Sequence, residues 1–363
     1  MKRSVHDPPV DPALPTTPRR RGPRKRVVVA VLGAAFALAT FAYFLPQIAD
    51  YRDVWGVLKG LSWEWIAALA AATVLNLATF APPWQVALPG LSFLSAFVLT
   101  QVSTALSLVV PGGAAVGIAG SYGILRRWGF PGRDIGRGVT LVSLWSQFAN
   151  LSYPVVAVFL LAVEGSSSAV LATAAFVGAA VLGIAVAALA AVLASRRAAA
   201  GIGELAAQVA DWALRKFGRG PVVWGGESFE RFRHEAAELL RRRWQVLTLA
   251  TYAGTLTVFL VLLVSLRAFD VPASEVTVIE AFAAWAVARL LGTIPITPGG
   301  IGVVELSLTA TLVGFGGSNA SVVAAVLVYR FLTMVPTIVV GLAATPSLNR
   351  RGRRETVSVE AEH

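Results

Sequence analysis

The chain contains no cysteine and only three histidines, His6, His234 and His363, each outside the long apolar segments. Disulfides, thiolate nucleophiles and cysteine-ligated metals are thereby excluded, and zinc or redox chemistry lacks a ligand set. Charge is scarce too: 14% of residues are Asp, Glu, Lys or Arg, against 56% apolar residues and a mean hydropathy of +0.69. A soluble domain carries about 25% charged residues, so a chain of 363 residues with this balance reads as a polytopic membrane protein. Of the few charges, basic ones dominate, with a net charge of +11.

What is abundant is long apolar sequence. Runs near the roughly 20 residues needed to cross a bilayer occupy 27–46, 65–88, 139–163, 169–194, 245–268 and 318–345. Two further apolar stretches, 93–126 and 276–316, are interrupted by Pro111-Gly112-Gly113 and Pro298-Gly299-Gly300. Proline lacks an N–H and glycine tolerates conformations other residues avoid, so each tripeptide should unwind a helix. Unpaired backbone groups are costly in lipid, so such breaks survive only inside protein or beside water. The expected fold is all-α: six spanning helices plus two re-entrant helical hairpins.

Lysine and arginine placement sets the orientation. Of the 31, 26 fall in the tail 1–26, the loop 126–137, the loop 195–243 and the C-terminal tail, so these four segments are expected on the cytoplasmic side. The basic excess is then a topology signal with attraction to anionic lipid, and no nucleic-acid partner is expected. The first run follows Arg24-Lys25-Arg26 and no small-residue cleavage site comes after it, so it is read as an uncleaved anchor. With both termini inside, the two hairpins enter from opposite faces. Residues 27–163 and 164–345 then each contain span, span, hairpin, span, in opposite orientation. Gly129-Phe130-Pro131-Gly132 after the first break and Gly314-Phe315-Gly316-Gly317 after the second support this inverted repeat, with spacings that differ by two. Broken helices in inverted repeats are a transporter architecture.

The proline- and arginine-rich residues 1–26 are expected to be disordered, and 346–363 to form a second cytoplasmic tail. Within 195–243, Leu205, Val209, Trp212 and Phe217, then Phe229, Phe232, Ala236, Leu239 and Leu240, recur at helical spacing. With the arginines beside them they suit helices lying on the inner leaflet or capping the bundle.

Candidate site residues come from the breaks and from charges inside apolar sequence. Each break starts an arm whose first N–H groups carry about half a positive charge, which favours a phosphate or carboxylate between converging arms. The alternative is a tight turn that lets helices pack closely. An ionisable residue near the bilayer centre costs at least about 2.5 kcal/mol unless paired or hydrated, and Arg289, Glu305 and Arg330 are the ones present, with Glu280 nearer an interface. Arg289 and Glu305 sit at similar depth on either side of Pro298 and are expected to pair across the hairpin. Arg330 is left without a carboxylate, and is expected either to hold a phosphate or to bond carbonyls near Pro298. In the first half the polar residues Gln101, Ser103, Thr104 and Ser107 suit helix gluing, as Tyr122 and Tyr153 suit packing. Gln147 and Asn150, at i and i+3, form one polar face of functional interest.

Thr297-Pro298-Gly299-Gly300-Ile301-Gly302-Val303 with Glu305 and Leu308, then Tyr329-Arg330-Phe331 followed by Pro336 and Gly341, resembles the transmembrane region of lysylphosphatidylglycerol synthases. That region also occurs alone, as a flippase-like family. The first break, Val110 to Gly117, lacks the charged residue and fuller glycine pattern that the resemblance would supply. The sequence ends at residue 363 without a soluble aminoacyl-transferring domain, so the resemblance implies lipid movement rather than lipid aminoacylation. The implied function is a transporter of anionic phospholipid or polyprenyl-phosphate-linked lipid in a bacterial cell membrane. Arg330 would hold the head group, the Pro-Gly-Gly arms would donate N–H groups, and Arg289 with Glu305 would set the hairpin. The alternative is a non-transporting membrane partner that presents lipid to a separate glycosyl- or aminoacyl-transferase; that transferase and self-association are the other partners considered. Without an intramembrane histidine, cysteine or carboxylate pair, neither an enzyme nor a cofactor is expected.

Overall fold

The computed structural model describes residues 60–109, 113–165, 180, 182–184, 186–187, 226–293 and 297–348. The expected span 27–46, most of the span 169–194, the tail 1–26, residues 349–363, the 195–225 part of the basic loop, Pro111 and Gly112 lie outside the described residues. The described part is helical, in the order α1 (Trp63–Thr79), α2 (Pro82–Ala87), α3 (Phe93–Val109), α4 (Gly113–Arg127), α5 (Gly132–Val163), α6 (Gly226–Ala268), α7 (Val278–Gly292), α8 (Val303–Gly314) and α9 (Asn319–Ala344). Four stretches are long and apolar enough to cross a membrane: Trp63–Ala87, Gly132–Val163, Arg241–Ala268 and Asn319–Ala344. The first is interrupted between α1 and α2, where Pro82 and Pro83 withdraw two N–H donors.

Serine and threonine are tolerated inside these helices because their hydroxyls bond back to the preceding turn. Thr73 donates to Leu69 O, Thr100 to Ala96 O, Ser121 to Gly117 O and Ser265 to Val261 O. Large apolar side chains such as Val74, Phe159, Leu249 and Val339 point outward, as suits a lipid-facing surface.

Packing is reciprocal between the halves. The arms α3 and α4 pack together, as do α7 and α8. The leading arm α3 lies against α9, the last span of the other half, while α7 lies against α5, the last span of the first half. Helix α1 pairs with α6, where Asn76 Nδ2 donates to Thr257 Oγ1 at 3.1 Å and Gln101 Nε2 of α3 reaches Leu77 O of α1 at 3.0 Å. One apolar core joins α5, α6, α7, α8 and α9 around Tyr153, Phe282 and Trp285. A second, around Leu99, Leu125 and Trp128, takes in Leu348, whose carbonyl accepts from Trp128 Nε1 at 3.0 Å.

The trailing arms end alike. Gly129 after α4 has φ 93° and Gly316 after α8 has φ 120°. In each case the next residue donates back across the turn, Phe130 N to Leu125 O and Gly317 N to Leu312 O, which is the Schellman closure. Gly129 and Gly316 each stand 16 residues beyond the last glycine of their break, Gly113 and Gly300. The capping part that Gly129 plays is therefore taken by Gly316, which has a positive φ, and not by Gly314, the residue the sequence alignment of the two motifs set opposite it.

The α3–α9 contact depends on Gly341. A Cβ there would stand 2.6 Å from Gln101 O and 2.8 Å from Ala105 Cβ, and the main-chain carbonyl cannot withdraw alone. Gly341→Leu should therefore cost about 1–3 kcal/mol by overpacking and lower the melting temperature in detergent. Gly123→Ala, with nothing within 4 Å of the added carbon, should leave it unchanged or raised. Equal melting temperatures for Gly341→Leu and the parent would refute this close approach.

Candidate functional site

The second break is a closed turn. Gly300 N donates to Thr297 O at 3.1 Å and Thr297 Oγ1 to Ile301 O at 2.8 Å, which leads into the one-turn 3-10 helix Pro298–Gly300 and then α8. Gly299 has φ 64° and Gly302 φ 85°, left-handed conformations that glycine adopts without a Cβ penalty. Space is a second constraint at Gly299, where a Cβ would stand 3.0 Å from Leu108 Cδ2 and 3.1 Å from Met334 Cε. Leu108 lies near the end of α3, so the leading arm of the first hairpin reaches the break of the second.

A buried ion pair pins this turn. Glu305, in the first turn of α8, folds back so that Oε2 accepts from Gly302 N at 2.8 Å. Its Oε1 accepts from Arg330 Nε of α9 at 2.7 Å, and Arg330 Nη2 donates to Gly299 O at 2.8 Å. Glu305 is 3% exposed and Arg330 8%. The structure thus differs from the sequence expectation in two respects. Glu305 pairs with Arg330 rather than Arg289, because its capping bond to Gly302 turns the other carboxylate oxygen toward α9. The Gly302 N–H at the start of α8 is also spoken for, by Glu305 itself. The bond from Arg330 to a carbonyl of the break, one of the two roles considered for it, is present.

Arg289 faces elsewhere. Its guanidinium lies over the Trp285 ring, 5.5 Å from the centroid, and Nε donates to Asn150 Oδ1 at 2.7 Å across to α5. Asn150 Nδ2 in turn donates to Gln147 Oε1 at 3.1 Å. Among the described residues Arg289 has no carboxylate partner, and neither Nη atom has a protein acceptor. Asn150, Trp285, Arg289, Gly299, Tyr329 and Arg330 line a cavity of about 230 Å³. Trp285 is 1% exposed, and its Nε1–H lies beside the Tyr329 hydroxyl without closing a hydrogen bond of ordinary geometry.

Of the candidate residues, the structure gathers Gln147, Asn150, Arg289, Gly299, Glu305 and Arg330 into one connected region. Gly300 is packed against Val304 and Gly292 behind the turn. Gly113 opens α4 with φ 47° and does not line the cavity. Glu280 closes a capping box with Thr277 at the start of α7. Trp285 and Tyr329 were not singled out as site residues by sequence. The i, i+4 spacing of Trp285 and Arg289 on one helix is the signal that could have found the first.

Two guanidinium groups and one carboxylate leave this region with an excess positive charge, and arginine presents planar paired donors to phosphate or carboxylate. The clip and the cavity should respond differently to mutation. Glu305→Gln leaves Arg330 buried without its counter-charge and should cost about 3–5 kcal/mol, read as loss of thermal stability in detergent. Combining Arg330→Met with Glu305→Leu should cost less than either change alone; additive losses would show that the two side chains do not act as a pair.

No curated protein matches the chain. The model of the lysylphosphatidylglycerol synthase TM region matches residues 27–341, a span that contains both breaks, the Glu305–Arg330 clip and every residue of the cavity wall. The chain therefore belongs to the lysylphosphatidylglycerol synthase transmembrane-region family, and is a membrane protein related to lipid handling.

Proposed function

We propose that the chain moves a lipid bearing an anionic phosphate group between the leaflets of a bacterial cell membrane, and that Arg289 is the residue that meets the phosphate. The observation that carries this reading is a guanidinium set among apolar helices with, among the described residues, two N–H-bearing nitrogens unused and no carboxylate beside it. Holding such a charge near the bilayer centre costs about 2.5–3.5 kcal/mol or more when nothing compensates it. An anionic ligand supplies that compensation. Arg330 is already engaged by Glu305 and Gly299, which supports a role in fixing the break rather than in primary phosphate contact.

Size supports a head group as the occupant. Sites for drug-sized ligands span roughly 300–1,000 Å³, and this cavity of about 230 Å³ takes a phosphate and its immediate substituent. Acyl or prenyl chains would remain outside, against the apolar flanks of the helices.

In this reading the full membrane domain has six spans and two re-entrant hairpins that enter from opposite faces, with both termini in the cytoplasm. The exchanged packing of α3 on α9 and α7 on α5, and the equal interval from each break to its capping glycine, support an inverted repeat. The contact between Leu108 and Gly299 supports the meeting of the two interrupted segments inside the protein.

Reconstitution in vesicles with a fluorescent phosphatidylglycerol measures the proposed activity by dithionite quenching of the outer leaflet. Arg289→Ala should slow exchange by about a hundredfold, the loss of roughly 2.7 kcal/mol expected for a charge-assisted pair. Gly299→Leu, which pushes into Leu108 and Met334, should slow it as well. Exchange at the parental rate in Arg289→Ala would remove that residue from the pathway. Binding without exchange in the parent would favour a lipid-presenting partner of a transferase over a transporter.

A further inference from the structure

The hydrogen-bond polarity of the cavity wall is fixed by Arg289. A guanidinium nitrogen can only donate, so the Asn150 side-chain atom 2.7 Å from Arg289 Nε must be the oxygen. That orientation leaves the Asn150 amide nitrogen facing Gln147, whose nearer atom must then be its oxygen. The Gln147 Nε2 donor consequently turns outward, at an exposed position on α5. One arginine thus sets the direction of two neutral amides.

The same accounting holds for the other side chains. Asn150 Oδ1, Gln147 Oε1 and both oxygens of Glu305 already accept hydrogen bonds, as does Gly299 O. Donors remain in the wall: both Nη atoms of Arg289, Nη1 of Arg330 and the buried Nε1–H of Trp285 have no protein acceptor among the described residues, while Gln147, outside the lining, holds Asn150 in place. Each of the oxygens that already accept keeps a second lone pair, and the hydroxyls of Thr293 and Tyr329 and main-chain carbonyls of the lining can accept as well. Apart from the Glu305 carboxylate, already paired with Arg330, these acceptors are neutral and cannot offset an ammonium placed beside two guanidinium groups.

We propose that this cavity selects phosphate groups that carry no ammonium, and that the Gln147–Asn150–Arg289 relay is the specificity determinant. The inference deepens the lipid-handling reading of the same cavity and rests on it for the ligand being a lipid. A phosphate ester of glycerol, of another polyol or of a prenyl alcohol offers acceptors to the free donors of the lining. Phosphatidylethanolamine and aminoacylated lipids bring a cation that the wall repels, and which has no counter-ion there.

The test uses the full chain in nanodiscs with a fluorescent phosphatidic acid bound, displaced by short-chain phosphatidylglycerol, phosphatidylethanolamine or lysylphosphatidylglycerol, and by inorganic phosphate. The two ammonium-bearing lipids should displace it about tenfold less well than phosphatidylglycerol, or worse. Gln147→Glu keeps the oxygen that Asn150 needs and changes only the outward atom, from a donor to a charged acceptor. It should shift the preference toward ammonium-bearing lipids by about tenfold, with unchanged melting temperature because the position is exposed. Asn150→Asp, facing Arg289 directly, should shift it in the same direction. Equal displacement by all three lipids in the parent, or an unaltered preference in both variants, would overturn the proposal. Displacement by inorganic phosphate as strong as that by phosphatidylglycerol, with the ammonium discrimination intact, would uphold the selectivity and refute the lipid reading. Preserved discrimination in a protein that does not exchange lipid between leaflets would uphold the selectivity and refute transport.

Discussion

The structure turns on the placement of one carboxylate in the first turn of α8. Glu305 satisfies the Gly302 N–H at the start of its own helix and, through its second oxygen, the guanidinium of Arg330. Arg330 carries the constraint on to the Gly299 carbonyl, which the left-handed turn would otherwise leave without a helical partner. Four potentially unsatisfied groups are thus disposed of by two side chains. The desolvation of two charges is large, and the bonds to Gly302 N and Gly299 O add to the attraction between them in offsetting it. A broken helix can persist here because its loose ends are bonded to protein rather than exposed to hydrocarbon.

Around that clip the halves share a scaffold but not a chemistry. The hairpins pack in the same way, each against the last span of the other half, and the trailing arms end in the same glycine closure. The charged residues nevertheless belong to the second half, while the first contributes neutral amides from α5. The cavity is therefore built from both halves of the chain, with a cation from one oriented by an amide from the other. That division explains why neither half in isolation displays a recognisable ligand set.

Much of this was legible in the sequence, and what was not has a physical cause. Positions of the described helices followed from apolar length, and the break at Pro298–Gly300 from its residue types, because backbone constraints act locally. The four described helices of spanning length fall where apolar runs were expected. Depth along the helices does not decide the ion pairing. Arg289 and Glu305 do lie on either side of the turn, but the capping bond to Gly302 rotates the carboxylate away from α7, an effect of the turn geometry that spacing does not reveal. The link between Asn150 and Arg289 joins residues 139 positions apart and leaves no periodic trace. Trp285 was hidden for a different reason: an aromatic residue in an apolar helix reads as core, and here it is both core and cavity wall.

The contrast between the self-contained hydroxyls and the shared ion pair bears on how the protein is made. Thr73, Thr100, Ser121 and Ser265 find their acceptors within their own helices, so those segments can enter the bilayer one at a time as synthesis proceeds. Glu305 and Arg330 have no such private solution. Each would be a bare charge in hydrocarbon until the other arrives, 25 residues along the chain. Entry of α8 and α9 as a joined pair would spare the chain that cost of about 2.5–3.5 kcal/mol per charge.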